Sequence, residues 1–75
     1  MMAALRFDAV LKEWCIVAFC DGIAVVGQVY GDTKRRFPDG RWIMTSKVFT
    51  SQRNVASGKV IQTRNSRYLL IGATN

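Results

Sequence analysis

Histidine is absent from this 75-residue chain, and cysteine, proline and acidic residues are scarce, with two, one and five copies. Without histidine, neither a Ser-His-Asp triad nor a Cys-His pair can form within one chain. No other nucleophile is paired with a base, so the sequence favours a protein that is not an enzyme and names no catalytic residue. It also predicts no bound zinc or other metal, and no cofactor.

The two cysteines, Cys15 and Cys20, are predicted to be reduced thiols, as is usual in the cytoplasm. They are five residues apart, so on one strand they would point to opposite faces and could not form a disulfide. Their apolar neighbours, among them Trp14, Ile16 and Phe19, predict that both thiols are small buried side chains rather than reactive groups.

Long apolar stretches are also missing. The longest runs from Trp14 to Cys20, seven residues, whereas a membrane-spanning helix needs roughly 20. The N-terminal stretch does not have the unbroken apolar core of a secretory signal, because charged residues interrupt it. These residues are Arg6, Asp8, Lys12 and Glu13. We therefore expect a cytoplasmic protein with no membrane partner.

What the chain does have is hydrophobic residues, 49% of the total, and 11 basic side chains against five acidic ones. A chain this apolar is not a disordered basic tail, and we expect residues 1–75 to form one small domain. The formal charge of +6 is uneven: residues 1–33 carry two basic and four acidic groups (−2), and residues 34–75 carry nine and one (+8). The second half is where an acidic partner would bind.

Short β-branched and aromatic runs, separated by turn residues, predict about five strands. Trp14–Phe19 and Ile23–Tyr30 are joined by Cys-Asp-Gly, which is typical of a β-hairpin. Arg41–Phe49 alternates between apolar and polar residues and predicts a half-exposed strand. The last two runs are separated by Asn-Ser, which favours a second hairpin. They are Lys59–Arg64 and Arg67–Ile71.

Local details predict how these strands turn and pack. Gly27 lies inside the second run and predicts a bulge or a sharp bend. Phe37-Pro38-Asp39-Gly40 predicts a type I turn with proline at its second position. In Arg41–Phe49 the alternation places three apolar side chains together on the core-facing side. These are Trp42, Met44 and Val48.

The N-terminal segment is compatible with two structures. Phe7, Val10, Leu11 and Trp14 have the spacing of one helix face, whereas Phe7, Ala9 and Leu11 would alternate along a strand. We favour the helix, with the strand as the alternative.

Together these patterns predict a mainly β fold: a small curled antiparallel sheet or a partly open barrel of about five strands, with residues 1–13 as a helix or a strand. The first two strands are apolar on both faces, so another layer must cover them. A chain this short buries only about 60–65% of its unfolded surface, and such chains usually need a further source of stability. We therefore expect a homo-oligomer.

Six basic side chains near rings or turn-forming polar residues are the candidate ligand-binding residues. Guanidinium groups bind phosphates and rings stack on bases in proteins that bind single-stranded nucleic acid. Phe37 and Trp42 are the neighbouring rings, although both could return to the core. The alternative for the basic side chains is simple exposure to solvent. The six are Lys34, Arg35, Arg36, Arg41, Arg64 and Arg67.

Three aspartates lie beside glycine or one residue from it: Asp21, Asp32 and Asp39. At such positions an aspartate usually accepts hydrogen bonds from its own backbone and forms a turn. Nothing in their spacing requires two of them to converge, so the sequence favours turns over a metal site or a pair of catalytic carboxylates.

Five motifs carry a resemblance to a known group of proteins. They are Trp14-Cys15-Ile16-Val17, Gly27-Gln28-Val29-Tyr30-Gly31, Arg36-Phe37-Pro38-Asp39-Gly40, Ile43-Met44-Thr45-Ser46 and Thr63-Arg64-Asn65-Ser66-Arg67-Tyr68-Leu69. Over roughly residues 14–70 the chain resembles short uncharacterised β-proteins of bacterial genomes, prophages and other mobile elements. In them the motifs follow the pattern WCIV, GxVYG, RFxDG, TS and TRxSxYxL. The resemblance implies a β fold and a mobile-element setting, but no catalytic residue, since that family has no assigned activity.

Two functions are consistent with the sequence. The first is a small non-enzymatic binding module, such as a mobile-element accessory protein, whose basic face binds an anionic ligand: nucleic acid or a phosphorylated small molecule. The alternative is a protein–protein interaction or assembly module, whose basic face matches an acidic protein partner.

Overall fold

The β-branched runs of the sequence form five strands in the computed structural model, which describes residues 6–72. The strands are β1 (Ala9–Phe19), β2 (Gly22–Tyr30), β3 (Arg41–Met44), β4 (Val60–Gln62) and β5 (Arg67–Ile71). They form one sheet in the order β3-β2-β1-β5-β4, and a single turn of 3₁₀ helix, Gln52–Asn54, lies between β3 and β4. The prediction of a mainly β fold is confirmed.

The helix favoured for the N-terminal segment is wrong, because Ala9 to Trp14 lie within β1. The first five residues of that segment lie outside the described residues. The register of β1 against β2 shifts between Lys12 and Cys15, so two residues, Glu13 and Trp14, face one residue of β2. This bulge moves the inward side chains from odd to even positions. The inward-facing side chains of Leu11 and Trp14 are therefore three residues apart, the spacing typical of one helix face, although both residues belong to one strand.

Gly27 is the β2 residue opposite this bulge, so the irregularity predicted at Gly27 is present, with its extra residue on the facing strand. A Cβ added to Gly27 would lie 3.1 Å from the carbonyl oxygen of Lys12 and 3.1 Å from the Cβ of Trp14. These distances are shorter than ordinary van der Waals contact. Glycine is therefore needed there for close approach of the two strands.

All neighbouring strands are antiparallel except β1 and β5, which are parallel. An antiparallel sheet throughout was expected, and the sheet is instead mixed and not closed into a barrel. The segment after β3 causes this arrangement. The Val48 amide donates to the Ile23 carbonyl at 2.8 Å, and the Phe49 amide donates to the Gln62 carbonyl at 2.7 Å. The chain thus crosses from β2 to β4, and the following hairpin places β5 alongside β1 in the same direction.

The core lies on one face of the sheet, where the fully buried side chains include Trp14, Leu11, Ile61 and Leu70. Connecting segments cover this side with Val48 and Val55, both buried, and with Phe37, which packs against the core. The burial predicted for Val48 is confirmed.

The core-facing positions predicted for Trp42 and Met44 are wrong, because these side chains are 57% and 59% exposed. In β3 the residue that packs against the core is Ile43, which pairs with Gly27. Side chains of a regular strand alternate between its two faces, so Trp42 and Val48 would share a face if the strand continued. The backbone after Met44 is irregular and breaks this alternation, so Val48 faces inward while Trp42 does not.

The turns and the cysteines show the limits of local patterns. Val48 does not continue β3, which ends at Met44. The turn before β3 has the Arg41 amide bonded to the Pro38 carbonyl, so proline occupies the first position of the turn rather than the second.

Cys15 is half-buried, but Cys20 is exposed, because it lies in the turn between β1 and β2. Burial of both thiols was expected, and for Cys20 that expectation is wrong. No helix within residues 6–72 combines the length and apolarity needed to cross a membrane.

Candidate functional site

The five strands bring the basic residues to one end of the sheet. At this end β1, β3 and β5 begin, β2 and β4 end, and the loop 31–40 and the turn 63–66 lie next to each other. We call it the basic end, and define it as residues 6–8, 31–41 and 63–67. It holds seven of the 11 basic residues and three of the five acidic ones, a local charge of +4. All six predicted ligand-binding residues belong to it.

Asp32 organises the loop 31–40. Its carboxylate accepts hydrogen bonds from the backbone amides of Lys34, Arg36 and Phe37, at 3.1, 2.8 and 3.2 Å. The Arg36 guanidinium donates to both oxygens of the same carboxylate, at 3.1 and 3.0 Å. The Asp32 side chain is only 1% exposed. The hydrogen bond from the Arg36 side chain, supported by these amides, lowers the pKa of Asp32 to about 2. The turn role predicted for Asp32 is confirmed.

Arg36 is a structural residue of this loop. Besides its bonds to Asp32, it donates through Nη1 to the Ser66 hydroxyl at 2.6 Å. Its guanidinium carbon lies 5.2 Å from the centre of the Phe37 ring and 5.8 Å from that of Tyr68. The hydrogen bond to Asp32 raises the pKa of Arg36. Arg36 therefore fastens the loop to the turn 63–66, and few of its donors remain for a ligand.

Lys34 makes a second link between the loop and the turn. Its ammonium donates to the Asn65 carbonyl at 2.6 Å and to the Ser66 hydroxyl at 3.1 Å. It also lies 3.8 Å from a carboxylate oxygen of Asp8. The Lys34 side chain is 43% exposed, so its charge remains accessible from solvent at the border between the loop and the turn.

Arg67 lines a groove between the start of β1 and the turn 63–66. Its backbone amide donates to the Asp8 carboxylate at 2.9 Å, and its side chain donates through Nε to Gln62 at 2.7 Å. The groove has a volume of about 480 Å³. It is lined by Arg6, Phe7, Asp8, Gln62, Asn65, Ser66 and Arg67. Charged groups and one aromatic ring thus border the same concave surface.

The other three predicted residues are Arg35, Arg41 and Arg64. All are exposed, and within residues 6–72 their guanidinium groups make no hydrogen bond or ion pair. Arg35 has a φ of 54°, a left-handed backbone that is uncommon for a residue other than glycine, and its amide donates to the Asp32 carbonyl at 3.0 Å. The structure therefore divides the six residues into three solvated cations, two that link the loop to the turn, and Arg67 at the groove.

Sequence reasoning missed Arg6 and Phe7 as site residues. They reach the basic end because β1 runs parallel to β5, with Ala9 paired to Tyr68 and the Asp8 amide bonded to the Arg67 carbonyl. The available signal was the repeated Arg-Phe pair, which occurs at residues 6–7 and again at residues 36–37. Phe7 is 38% exposed, and Phe37 is half-buried.

The aspartates of the basic end are occupied by hydrogen bonds from the backbone. Asp8 and Asp32 both accept hydrogen bonds from the backbone, and Asp39 accepts one from the Gly31 amide at 2.8 Å. In the part of the chain that the structure describes, no group of three Cys, Asp or Glu side chains is placed to hold a metal ion. The arrangement offers guanidinium and ammonium donors for an anion and a ring for stacking.

Comparison of the chain with protein-family models, with curated proteins and with solved structures found no match. The resemblance to mobile-element β-proteins therefore stays a prediction.

Proposed function

We propose that this protein is a non-enzymatic binding module whose basic end binds single-stranded nucleic acid. The observation that carries this proposal is the groove at the basic end, which Arg6 and Arg67 line together with the exposed ring of Phe7. Cations beside a stackable ring match a nucleotide, whose phosphate is anionic and whose base has a flat face. Lys34, Arg35, Arg41 and Arg64 lie around the same end and would extend the phosphate contacts along a strand.

The shape of the site favours a single strand over a duplex. Sequence-specific duplex binding usually needs a helix or a two-stranded ribbon that enters the major groove. The only helix within residues 6–72 is three residues long. A groove of about 480 Å³ has room for an unstacked base and its sugar-phosphate, which a duplex does not present.

A phosphorylated small molecule and an acidic protein are the competing ligands. A mononucleotide would use the same ring and cations, but without contacts to the outlying Arg35, Arg41 and Arg64. An acidic protein would match the charge of +4 but would have no base to stack on Phe7. Both therefore serve as arms of the test: a mononucleotide and polyglutamate, compared with an oligonucleotide.

The test is a fluorescence anisotropy titration with a labelled oligothymidylate of about 12 nucleotides, a length within the range covered by small single-strand-binding domains. If about four phosphates are neutralised, the logarithm of the binding constant should fall with the logarithm of salt with a slope of about −2.8. We expect weaker binding of a duplex of the same length and of the mononucleotide. No binding of the oligonucleotide at about 50 mM salt contradicts the proposal, and tighter binding of polyglutamate replaces it with the protein partner.

Variants separate the two parts of the site. Arg64→Gln should reduce the slope by about 0.7, the contribution of one phosphate on a single strand. Phe7→Ala should weaken binding roughly tenfold and leave the slope unchanged, because stacking contributes about 1–3 kcal/mol per base and is not ionic. The matched control is Arg53→Gln, since Arg53 is an exposed arginine on the 3₁₀ helix, outside the basic end. A loss with Arg53→Gln equal to that with Arg64→Gln would show only nonspecific charge attraction.

We also propose where this function takes place. Reduced thiols at Cys15 and Cys20 suit the cytoplasm, and the resemblance of residues 14–70 to mobile-element proteins would make the module an accessory protein of such an element. Self-association, expected from the apolar first hairpin, is likewise proposed.

A further inference from the structure

The face of the sheet that points away from the core is largely apolar. Strand pairing defines this face: Cys15 pairs with Val26, and Val26 pairs with Met44. Because paired residues share a face, these side chains lie side by side across β1, β2 and β3. We call this surface the outer face, and its main apolar members are Val17, Phe19, Val26, Trp42, Met44 and Ile71.

The most prominent of these side chains are exposed to solvent. Phe19 is 49% exposed, Trp42 57% and Met44 59%. On the same face, Ala24 is 1% exposed. The Lys47 side chain lies over Gly22, since a Cβ built on Gly22 would be 2.6 Å from the Lys47 Cε. The outer face therefore has raised apolar side chains beside a recessed position at Ala24, a relief that suits face-to-face packing of two sheets.

We infer that a second copy of this chain packs on the outer face. The four strands of this face, β1, β2, β3 and β5, have 11, 9, 4 and 5 residues. At about 4.8 Å between strands and about 3.3 Å per residue they cover roughly 460 Å². Two such faces in contact would bury roughly 900 Å², which is within the range of weak, transient interfaces. The expected dimer is therefore weak, dissociating in the micromolar range.

Charge favours a second copy over an oppositely charged partner. Cys15, Val17, Phe19, Val26 and Met44 occupy the outer face towards the β1–β2 turn, and none of them carries a charge. The charge of +4 at the basic end lies at the opposite end of β1 and β2. Lys47, whose side chain lies over Gly22, adds a cation to this region, and the Asp21 carboxylate 4.0 Å from its ammonium offsets that charge. Two copies can therefore meet through this region with little net charge on either face, whereas an acidic partner would find only a paired cation there.

Besides Lys47, the interface must accommodate the charge of Lys12. It lies on the outer face opposite Gln28, and its ammonium is 4.8 Å from the centre of the Tyr30 ring. A long amphipathic side chain can cover apolar surface while its ammonium reaches the rim. Lys12 therefore belongs to the border of the interface, and the neutral residues beyond it form the centre.

Tryptophan fluorescence reports this contact directly. Trp14 is fully buried within one copy, whereas Trp42 is 57% exposed and lies on the outer face. Trp42 pairs with Gln28, in the same row as Lys12 at the border of the interface. As the protein concentration rises, Trp42 should lose part of its contact with water and the emission should shift to shorter wavelength, while Trp14 contributes a constant signal. Sedimentation equilibrium of the same samples should show a mass that rises from 8.4 kDa towards twice that value.

A matched pair of variants identifies the surface. Met44→Lys should weaken the dimer at least tenfold, because it places a charge within the apolar contact. Phe49→Lys introduces the same charge at a side chain that is 62% exposed but lies beyond β4, away from the outer face. It should leave the dimer intact. Both sites are exposed in one copy, so both variants should retain the fold, which circular dichroism checks.

Two results would overturn the inference. One is a constant mass of 8.4 kDa with unchanged emission up to about 1 mM protein, a concentration at which even a very weak dimer would be populated. The other is a dimer that Phe49→Lys dissociates and Met44→Lys does not, which would place the contact on the β4 side of the sheet.

Discussion

Asp32 shows how one carboxylate can determine a loop. Its pKa is about 2 in the folded protein and 3.8 in an unfolded chain, so the folded state binds this proton less readily. The resulting stabilisation is complete above about pH 4 and is lost as the pH falls towards about 2. A lowering of this size corresponds to about 2 kcal/mol. We predict that acidification from pH 6 to pH 2 lowers the free energy of unfolding, measured with urea, more in the unmodified protein than in Asp32→Asn. The difference between the two losses should be about 2 kcal/mol.

The control for Asp32 is Asp21→Asn. Asp21 is 77% exposed, and its closest cation is Lys47 at 4.0 Å, a pair that contributes little at a surface. The acid dependence of Asp21→Asn should match that of the unmodified protein. If Asp32→Asn also shows the unmodified acid dependence, the carboxylate of Asp32 is not what holds the loop.

The bulge in β1 determines which side chains of that strand face the core. Glu13 has a φ of 53°, a left-handed backbone that costs a non-glycine residue about 1–2 kcal/mol. Glu13→Gly removes that cost, although glycine is more flexible when unfolded, and should change stability by less than about 1 kcal/mol. Gly27→Ala adds a methyl group against the Lys12 carbonyl and Trp14, and should destabilise by about 1–3 kcal/mol. Urea unfolding of both variants tests this, and an unchanged Gly27→Ala protein would contradict close packing at the bulge.

The same bulge explains how much of the fold could be predicted. Hairpins follow local signals, such as Gly22 after β1 and Asn65-Ser66 between β4 and β5, and both were predicted. Which side chains of β1 and β3 face the core depends on contacts between residues that are distant in sequence. Periodicity within the segment alone therefore favoured a helix before Trp14 and a buried Trp42, and both were wrong.

The sequence predicted several residues of the candidate site but not how they are arranged in space. Charge and neighbouring rings selected Lys34, Arg36 and Arg67 from the sequence. Their division into structural and exposed cations depends on Asp32 and Ser66, which are distant in sequence from one another. Phe7 joins the site only through the parallel pairing of β1 with β5, which no local pattern specifies.

At the scale of the whole molecule, the basic end and the outer face are separate surfaces. We predict that Met44→Lys and Phe49→Lys bind the oligonucleotide with equal affinity at moderate salt, because each adds one charge and neither residue belongs to the basic end. Conversely, Arg64→Gln should leave the dimerisation constant within twofold of the unmodified protein. Anisotropy and sedimentation measure the two constants. A difference of tenfold in either comparison would mean that the two surfaces are coupled.

The parallel pairing of β1 with β5 also determines how this protein can be handled. The polypeptide enters β1 beside the groove, whereas it leaves β5 near Ile71, at the far end of the strand pair. An affinity tag or fluorescent protein joined ahead of β1 would crowd the groove and compete with oligonucleotides. The same fusion placed after β5 would leave the groove open, so immobilisation through that side is the arrangement suited to capturing ligands.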